Sequence, residues 1–312
     1  MTIISYLTRI RFEAGALQAL PQELEALGVA RPLVVTDGGI VQSGLLARLT
    51  EVLGTRLGGV FDGTPPNPTE AAAMAALAVY RESGADGVIA LGGGSAIDLA
   101  KAVRLLTTHE PPLAQYALVE GGGARITARM PPLVAIPTTA GTGSEVGRGS
   151  VMVLADGRKL GLVSPHMIPS LALCDPELTY GLPPALTAAT GMDAVAHCVE
   201  TYLSPQVNPP AEAIALDGLT RAAAHLERAV ADGRDAEARW NMMMASMEGA
   251  MAFQKGLGAV HALSHPLGAL PLKLHHGTLN AVLLPAVLRF NAPACGAKLE
   301  RLAAILGVGD GA

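Results

Sequence analysis

Aromatic side chains are scarce in this sequence: one Trp, five Tyr and four Phe among 312 residues, which leaves few aromatic walls for any binding cleft. Charge is thin as well, at 16% of residues, and the formal net value is −5. With no Lys/Arg-rich run there is no positive field to hold a polyanion, so nucleic acid is excluded as an expected partner. The three cysteines, Cys174, Cys198 and Cys295, are odd in number and share no CxxC spacing. They make neither a disulfide framework nor a thiolate zinc site and read as small core residues in a reducing compartment. The opening segment MTIISYLTRIRFEAG has no basic n-region followed by an apolar h-region and a cleavage site, so the expected location is the cytoplasm. An uninterrupted apolar run of about 20 residues, the length a spanning helix needs, is missing too. The nearest approach lies between Lys255 and Arg289, where Lys273 is the sole formal charge but Pro266, Pro271, Pro285, several glycines and four histidines intervene. That stretch reads as buried helices with polar groups at their centre, and no membrane partner is expected.

What the sequence has in abundance is apolar content, half of all residues, at a length of about two ordinary domains. In the first half, β-rich runs alternate with amphipathic segments. A helix near Leu17–Leu27 precedes the strand Pro32–Thr36; a helix over Val41–Leu53 precedes a short strand ending at Phe61. A TPPNPT loop, a helix over Glu70–Ser83, the strand Gly87–Leu91 and a helix from Ser95 follow. Such alternation predicts a parallel sheet with right-handed crossovers. Leu133–Ile136 gives a further strand, Ser150–Ala155 and Lys159–Ser164 a hairpin around Asp156-Gly157, and Leu171–Cys174 a last strand. From Gly181-Leu-Pro-Pro184 onward only helical patterns occur: Ala185–Tyr202, Ala211–Ala231, Ala236–Phe253, Leu257–Leu270, Thr278–Phe290 and Ala297–Leu306. The expected fold is therefore α/β, with a parallel-sheet domain over residues 1–181, followed by an all-α domain over 182–312.

Three constellations could carry chemistry. The first is Leu91-Gly-Gly-Gly-Ser-Ala-Ile-Asp98-Leu-Ala-Lys101, a glycine run where a strand turns into a helix. Free N–H groups at such a corner favour a phosphate, but glycine turns there are also common for steric reasons, and the run matches neither GxGxxG nor the Walker pattern. The second is Asp37, which ends the first strand of the sheet. Its carboxylate is placed either to accept hydrogen bonds from an adenosine ribose, favouring NAD over NADP, or simply to make a turn with Gly38. The third is sharper: Asp193 and His197 stand at i and i+4, and His261 and His265 repeat that spacing in the charge-poor stretch, with His275-His276 beyond. Residues at i and i+4 share a helical face and can address one metal. Three imidazoles with one carboxylate suit a first-row divalent ion. The Met242–Met251 group at helical spacing reads as core packing.

Together, Gly92-Gly-Gly-Ser-x-x-Asp98-x-x-Lys101, Pro137-Thr-Thr-Ala-Gly-Thr-Gly-Ser-Glu145, Gly191-x-Asp193-x-x-x-His197, His261-x-x-x-His265-Pro-Leu-Gly268 and His276-Gly277-x-x-Asn280-x-x-x-Leu-Pro285 resemble the iron-containing (group III) alcohol dehydrogenases of the dehydroquinate synthase-like superfamily. The likeness runs in order over nearly the whole chain. It implies an N-terminal dinucleotide-binding domain, a helical metal-binding domain, NAD as cofactor and a divalent metal, iron(II) or alternatively zinc. Metal ligands would be Asp193, His197, His261 and His276, with His275 as a rival to His276 because the spacing between Gly268 and the His-Gly pair is one residue longer than in many relatives. Cofactor contacts would fall on Asp37, Asn67, Gly93, Gly94, Ser95, Asp98, Thr138, Thr139 and Lys159. His265 would lie near nicotinamide and substrate, as a proton relay or in an orienting role. The chain stops at Gly309-Asp-Gly-Ala312, where the family is expected to continue through further helices.

The resemblance implies reversible hydride transfer between a small alcohol and NAD, with small alcohols or aldehydes as partners and assembly into a homodimer or larger homo-oligomer. Alternatives within the superfamily are maleylacetate reductase-like and glycerol dehydrogenase-like activities. The complete Asp193/His197/His261/His276 set argues against the former, and the His-Pro-Leu-Gly and His-Gly-x-x-Asn context against the latter. From other classes, a metal-dependent hydrolase lacks a HExxH helix here. A metal- and nucleotide-binding remnant without turnover is the non-enzymatic alternative.

Overall fold

In a computed structural model, residues 9–268, 270, 272 and 274–308 are described; Pro271 and Lys273 of the charge-poor stretch lie outside them. Two units emerge: residues 9–138 with 144–178, and residues 139–143 with 179–308.

The first unit contains strands β1 (Ile10–Phe12), β2 (Pro32–Val35), β3 (Gly59–Phe61), β4 (Gly87–Gly92), β5 (Leu133–Pro137), β6 (Gly149–Val153), β7 (Lys159–Val163) and β8 (Leu171–Cys174). Its helices are α1 (Leu20–Ala26), α2 (Gly38–Gln42), α3 (Leu45–Leu53), α4 (Glu70–Glu82) and α5 (Gly94–Leu106). Six strands form one sheet in the order β3-β2-β4-β5-β8-β1, every neighbouring pair parallel. Strands β2, β4, β5 and β8 are buried along their whole length, which is why they read as continuous apolar runs. Alternate residues point to opposite faces. Leu33, Val35, Val88, Ala90, Leu133 and Ala135 pack with Leu77 of α4 and Ile97, Val103 and Leu106 of α5. Val34, Ile89, Leu91, Val134 and Ile136 pack with Leu20 and Leu24 of α1 and Leu49 and Leu53 of α3 on the other face. The β6–β7 pair is an antiparallel hairpin, with Met152 opposite Leu160 and Val153 opposite Lys159.

Two local features depart from the sequence reading. Strand β1 pairs Ile10–Phe12 with Ala172–Cys174 at the sheet edge, and three residues are too few to register as a period. The helix expected over Val41–Leu53 is broken at Gly44, whose φ of 81° ends α2 and starts α3 in a conformation that glycine adopts without strain.

The second unit is helical, with no strand among the described residues: α6 (Pro184–Leu203), α7 (Pro209–Ala231), α8 (Ala236–Ala252), α9 (Ala259–Gly268) and α10 (His276–Leu306). Side-chain caps start two of them: Asn208 accepts from the Ala211 amide and Asp235 from the Ala238 amide. Helix α6 is central and packs against α7, α8 and α10. The two helices expected over Thr278–Phe290 and Ala297–Leu306 are one continuous α10, which runs through Pro285 and Pro293. An interior proline costs about 3 kcal/mol in an isolated helix. Here an unbroken apolar face, Leu284, Val287, Leu288, Cys295, Leu299 and Leu302, docks with Ala196, Val199 and Leu203 of α6 and offsets that cost. No helix among the described residues is long and apolar enough to cross a membrane.

Candidate metal centre and dinucleotide-binding turn

Three helices bring four candidate ligands together in the helical unit. Asp193 and His197 stand one turn apart on α6, His261 lies in the first turn of α9, and His276 is the first residue of α10. The Nε2 atoms of His197, His261 and His276 lie 3.8, 3.5 and 3.6 Å from a single carboxylate oxygen, Asp193 Oδ1. Asp193, His197 and His261 are each at least 96% buried. The His197 and His261 rings stack with centroids 4.6 Å apart. His275 is exposed at the N-cap of α10, whereas His276 turns inward. This orientation depends on Gly277, where a Cβ would lie 2.0 Å from the Ala189 carbonyl oxygen. The absence of a side chain at Gly277 lets the start of α10 press against α6 one turn before Asp193.

Two further side chains complete the cluster. Glu200 Oε2 lies 2.6 Å from His261 Nδ1, and Asn280 Nδ2 donates to Asp193 Oδ1 at 2.7 Å. The same amide nitrogen is 3.2 Å from His261 Nε2 and from His276 Nε2, while Asn280 Oδ1 is buried without a hydrogen-bond partner. Burial works to raise the Asp193 carboxyl, but the three surrounding imidazoles hold it far below the ordinary carboxylate range. Burial depresses His197 to about 4 and His276 to about 3. Burial also opposes charge on His261, yet Asp193 and Glu200 outweigh it and raise this imidazole to about 9. The cluster thus favours a positive species at its centre.

A divalent ion fits those side chains. A tetrahedral ion with bonds of about 2.0–2.2 Å separates its donors by roughly 3.3–3.6 Å, close to the spacings around Asp193 Oδ1. With burial depressing His197 and His276 well below neutral pH, a cation would have only the third imidazole's proton to displace. His265, one turn after His261 and half-buried, lies beside this set, its ring 5.7 Å from that of His261 and 5.1 Å from that of His276.

In the α/β unit the candidate cofactor residues gather at the carboxyl ends of adjacent strands. After β3 the chain crosses to the other side of β2, so β2 and β4 flank a switch point, the place where open α/β sheets present ligands. Asp37 follows β2, and its Oδ1 accepts from the Gly39 and Ile40 amides at 2.8 and 3.1 Å, capping α2. Across from it, Gly92 has a φ of 151°, and a Cβ there would lie 2.7 Å from that of Ala96 and 3.4 Å from Asp37 Oδ2. Gly93 caps α5, whose first residues are Gly94 and Ser95. Ser95 Oγ donates to the Pro66 carbonyl at 2.6 Å and Lys159 Nζ to Asn67 Oδ1 at 2.8 Å, so both groups border the 62–69 loop. Burial lowers the Lys159 pKa, against the pull of Asp98. Thr138, buried just past β5, donates its amide to the Gly92 carbonyl; Thr139 belongs to the helical unit.

Asp98 stands apart. Its two carboxylate oxygens accept from Ser144 Oγ at 2.6 Å and from the Val151 amide at 2.9 Å. Beside it the fully buried Lys101 donates to the carbonyls of Ser144, Gly147 and Gly149 and to Ser144 Oγ. Both residues anchor the segment between β5 and β6. Each Asp98 carboxylate oxygen accepts one of these bonds, and the Lys101 ammonium spends its donors within the protein. The role of Glu200 was missed from the sequence, although Asp193, His197 and Glu200 at i, i+4 and i+7 share one face of α6.

Comparison with known proteins places both halves of the chain in one family. Residues 8–176 match the family model for iron-containing alcohol dehydrogenase, and residues 187–312 match the C-terminal model of the Fe-containing alcohol dehydrogenase family. The 4-hydroxybutyrate dehydrogenase of Cupriavidus necator is 59% identical over 298 residues, 94% of this chain and 78% of that protein. The 1,3-propanediol dehydrogenase of Klebsiella pneumoniae is 40% identical, covering 95% of this chain and 77% of its own length. Among solved structures, a sulfoacetaldehyde reductase from Bifidobacterium kashiwanohense in complex with NAD+ superposes with a TM-score of 0.86 at 33% identity, over 93% of this chain and 77% of that one.

Proposed function

The chain belongs to the iron-containing alcohol dehydrogenase family, and from that premise we propose that it is a metal-dependent, NAD-linked dehydrogenase of small alcohols. The observation that carries the reading is the convergence of three imidazole Nε2 atoms on one buried carboxylate oxygen. Asp193, His197, His261 and His276 would hold the divalent ion, iron(II) in keeping with the family and zinc as the other fit to an N3O set. When bound, the ion supplies Lewis acidity toward an alcohol oxygen and the nicotinamide accepts the hydride. The protein's own part is binding and orientation. The N–H groups of Gly94 and Ser95 at the start of α5 would hold the pyrophosphate, with Lys159 and Asn67 beside them. Asp37 keeps one oxygen on its cap and would offer the other to a ribose hydroxyl. Thr138 and Thr139 line the end of β5, and Asp98 holds the segment that follows. His265, one turn from a ligand, would orient the substrate or pass on its proton.

In domain terms, residues 1–181 would bind the dinucleotide and residues 182–312 the metal. The protein would act in the cytoplasm as a homo-oligomer on small alcohols and aldehydes, independent of nucleic acid and membranes. The test is a substrate screen with NAD that includes 4-hydroxybutyrate and 1,3-propanediol, run beside elemental analysis of the purified protein. Alcohol-dependent NADH formation that requires the bound ion is expected. Binding of both metal and NAD with no turnover on any alcohol or aldehyde would instead favour a remnant without activity.

A further inference from the structure

We propose that Glu200 is the positioning residue of the metal centre, its carboxylate holding His261 in the Nδ1-protonated tautomer with Nε2 turned toward Asp193 Oδ1. The inference rests on the metal-centre reading above. Glu200 is 95% buried, and a carboxylate taken out of water demands partners. It finds them on α9: Oε2 meets His261 Nδ1 at 2.6 Å and the His261 amide at 3.3 Å, and Oε1 accepts from the Val260 amide at 2.7 Å. A single side chain thus satisfies two N–H groups at the start of α9, where a negative charge is favoured, and fixes the ring that the first turn carries. Because Glu200 lies one turn beyond His197, α6 supplies two ligands and also sets the orientation of a third.

The surroundings leave this carboxylate little freedom. A Cβ at Gly258 would lie 2.6 Å from Oε1, so the turn into α9 has no room for a side chain facing Glu200. Just before that turn, Lys255 donates to the carbonyls of Thr201, Tyr202 and Ser204 at 2.8–3.1 Å, and Ser204 Oγ donates back to the Lys255 carbonyl. The end of α6 and the approach to α9 are therefore bound together just beyond Glu200. Donation from Nδ1 to an anion fixes the tautomer and makes Nε2 a better electron-pair donor.

Zinc and cobalt(II) are suitable probes, with the intact protein and Glu200→Gln compared. In the variant an amide oxygen still accepts from the Val260 amide, but the charge and the second strong acceptor are gone. Zinc affinity, measured by competition with a chromophoric chelator, is expected to fall about 10- to 100-fold, and the visible spectrum of the cobalt form to change. Gly258→Ala, which crowds the carboxylate, is expected to weaken zinc binding in the same direction. Unchanged affinity and cobalt spectrum in Glu200→Gln would overturn the role of Glu200 while leaving the metal centre intact. A wild-type protein that takes up neither ion would overturn both. Should Glu200→Gln fail to fold, nitrogen-15 NMR of the zinc-loaded wild type decides: a proton on Nδ1 and zinc on Nε2 of His261 are expected, and zinc on Nδ1 would refute the proposal.

Discussion

At the scale of single residues, Asp37 caps α2, and substitutions can separate that role from its proposed contact with a ribose. Oδ1 caps α2, while Oδ2 faces the Gly92 corner. Asparagine caps a helix as well as aspartate does, so Asp37→Asn is expected to leave stability within about 0.5 kcal/mol. Removing the charge is expected to relax discrimination against NADP on the order of tenfold, read from kcat/KM with each cofactor. An unchanged NAD/NADP ratio would mean that Asp37 is a cap alone. In the other unit, His261→Ala is expected to weaken metal binding by more than about 100-fold, judged against the loss for orienting groups alone. NADH binding, followed by the fluorescence of its reduced nicotinamide, is expected to stay intact. The candidate ligand types and their spacing were legible in the sequence because the i, i+4 rule needs only a helix. The roles of Glu200 and Asn280 were not, because their partners lie 61 and 87 positions away in the chain.

Among the elements, α10 shows how tertiary packing overrides local punctuation. Its prolines and the Asn-Ala-Pro-Ala-Cys-Gly stretch read as a break, yet the apolar face continues on α6. The start of this helix is the sensitive point. Gly277→Ala places a Cβ 2.0 Å from a backbone oxygen that cannot rotate away. A loss of about 1–3 kcal/mol in denaturant unfolding is expected, together with weakened metal binding as His276 is displaced. The contact between α7 and α8 gives a pH signature. Burial, followed by the hydrogen bond and charge of Asp217, raises Glu248 to about 8, against the pull of Arg221 at 3.4 Å. Between the ordinary value of 4.5 and about 8 the folded state keeps a proton that the unfolded state has lost. The stabilisation from this group is complete below about pH 4.5 and disappears as pH rises through 8. Glu248→Gln, neutral throughout, is expected to match wild type near the lower end and to melt about 2–4 °C higher above pH 8. A difference in melting temperature that does not vary with pH would contradict this assignment.

For the molecule as a whole, the parallel sheet and the switch to helices were legible because buried strands read as apolar runs and the second half offers only helical periods. The edge strand β1 and the break at Gly44 were not, since one is too short to show a period and the other depends on a single dihedral angle. Composition had a similar limit. The charge-poor stretch from Gly256 to Leu288 marked where polar groups would be buried, but not that Asp193 Oδ1 would face three imidazoles at once. That convergence is the central claim, and metal content measured beside turnover tests it most directly. The purified protein is expected to carry about one first-row divalent ion per chain. Exhaustive chelation is expected to abolish alcohol-dependent NAD reduction while NAD still binds, and return of the ion to restore it. Full turnover in protein shown by elemental analysis to be free of metal would contradict the metal centre.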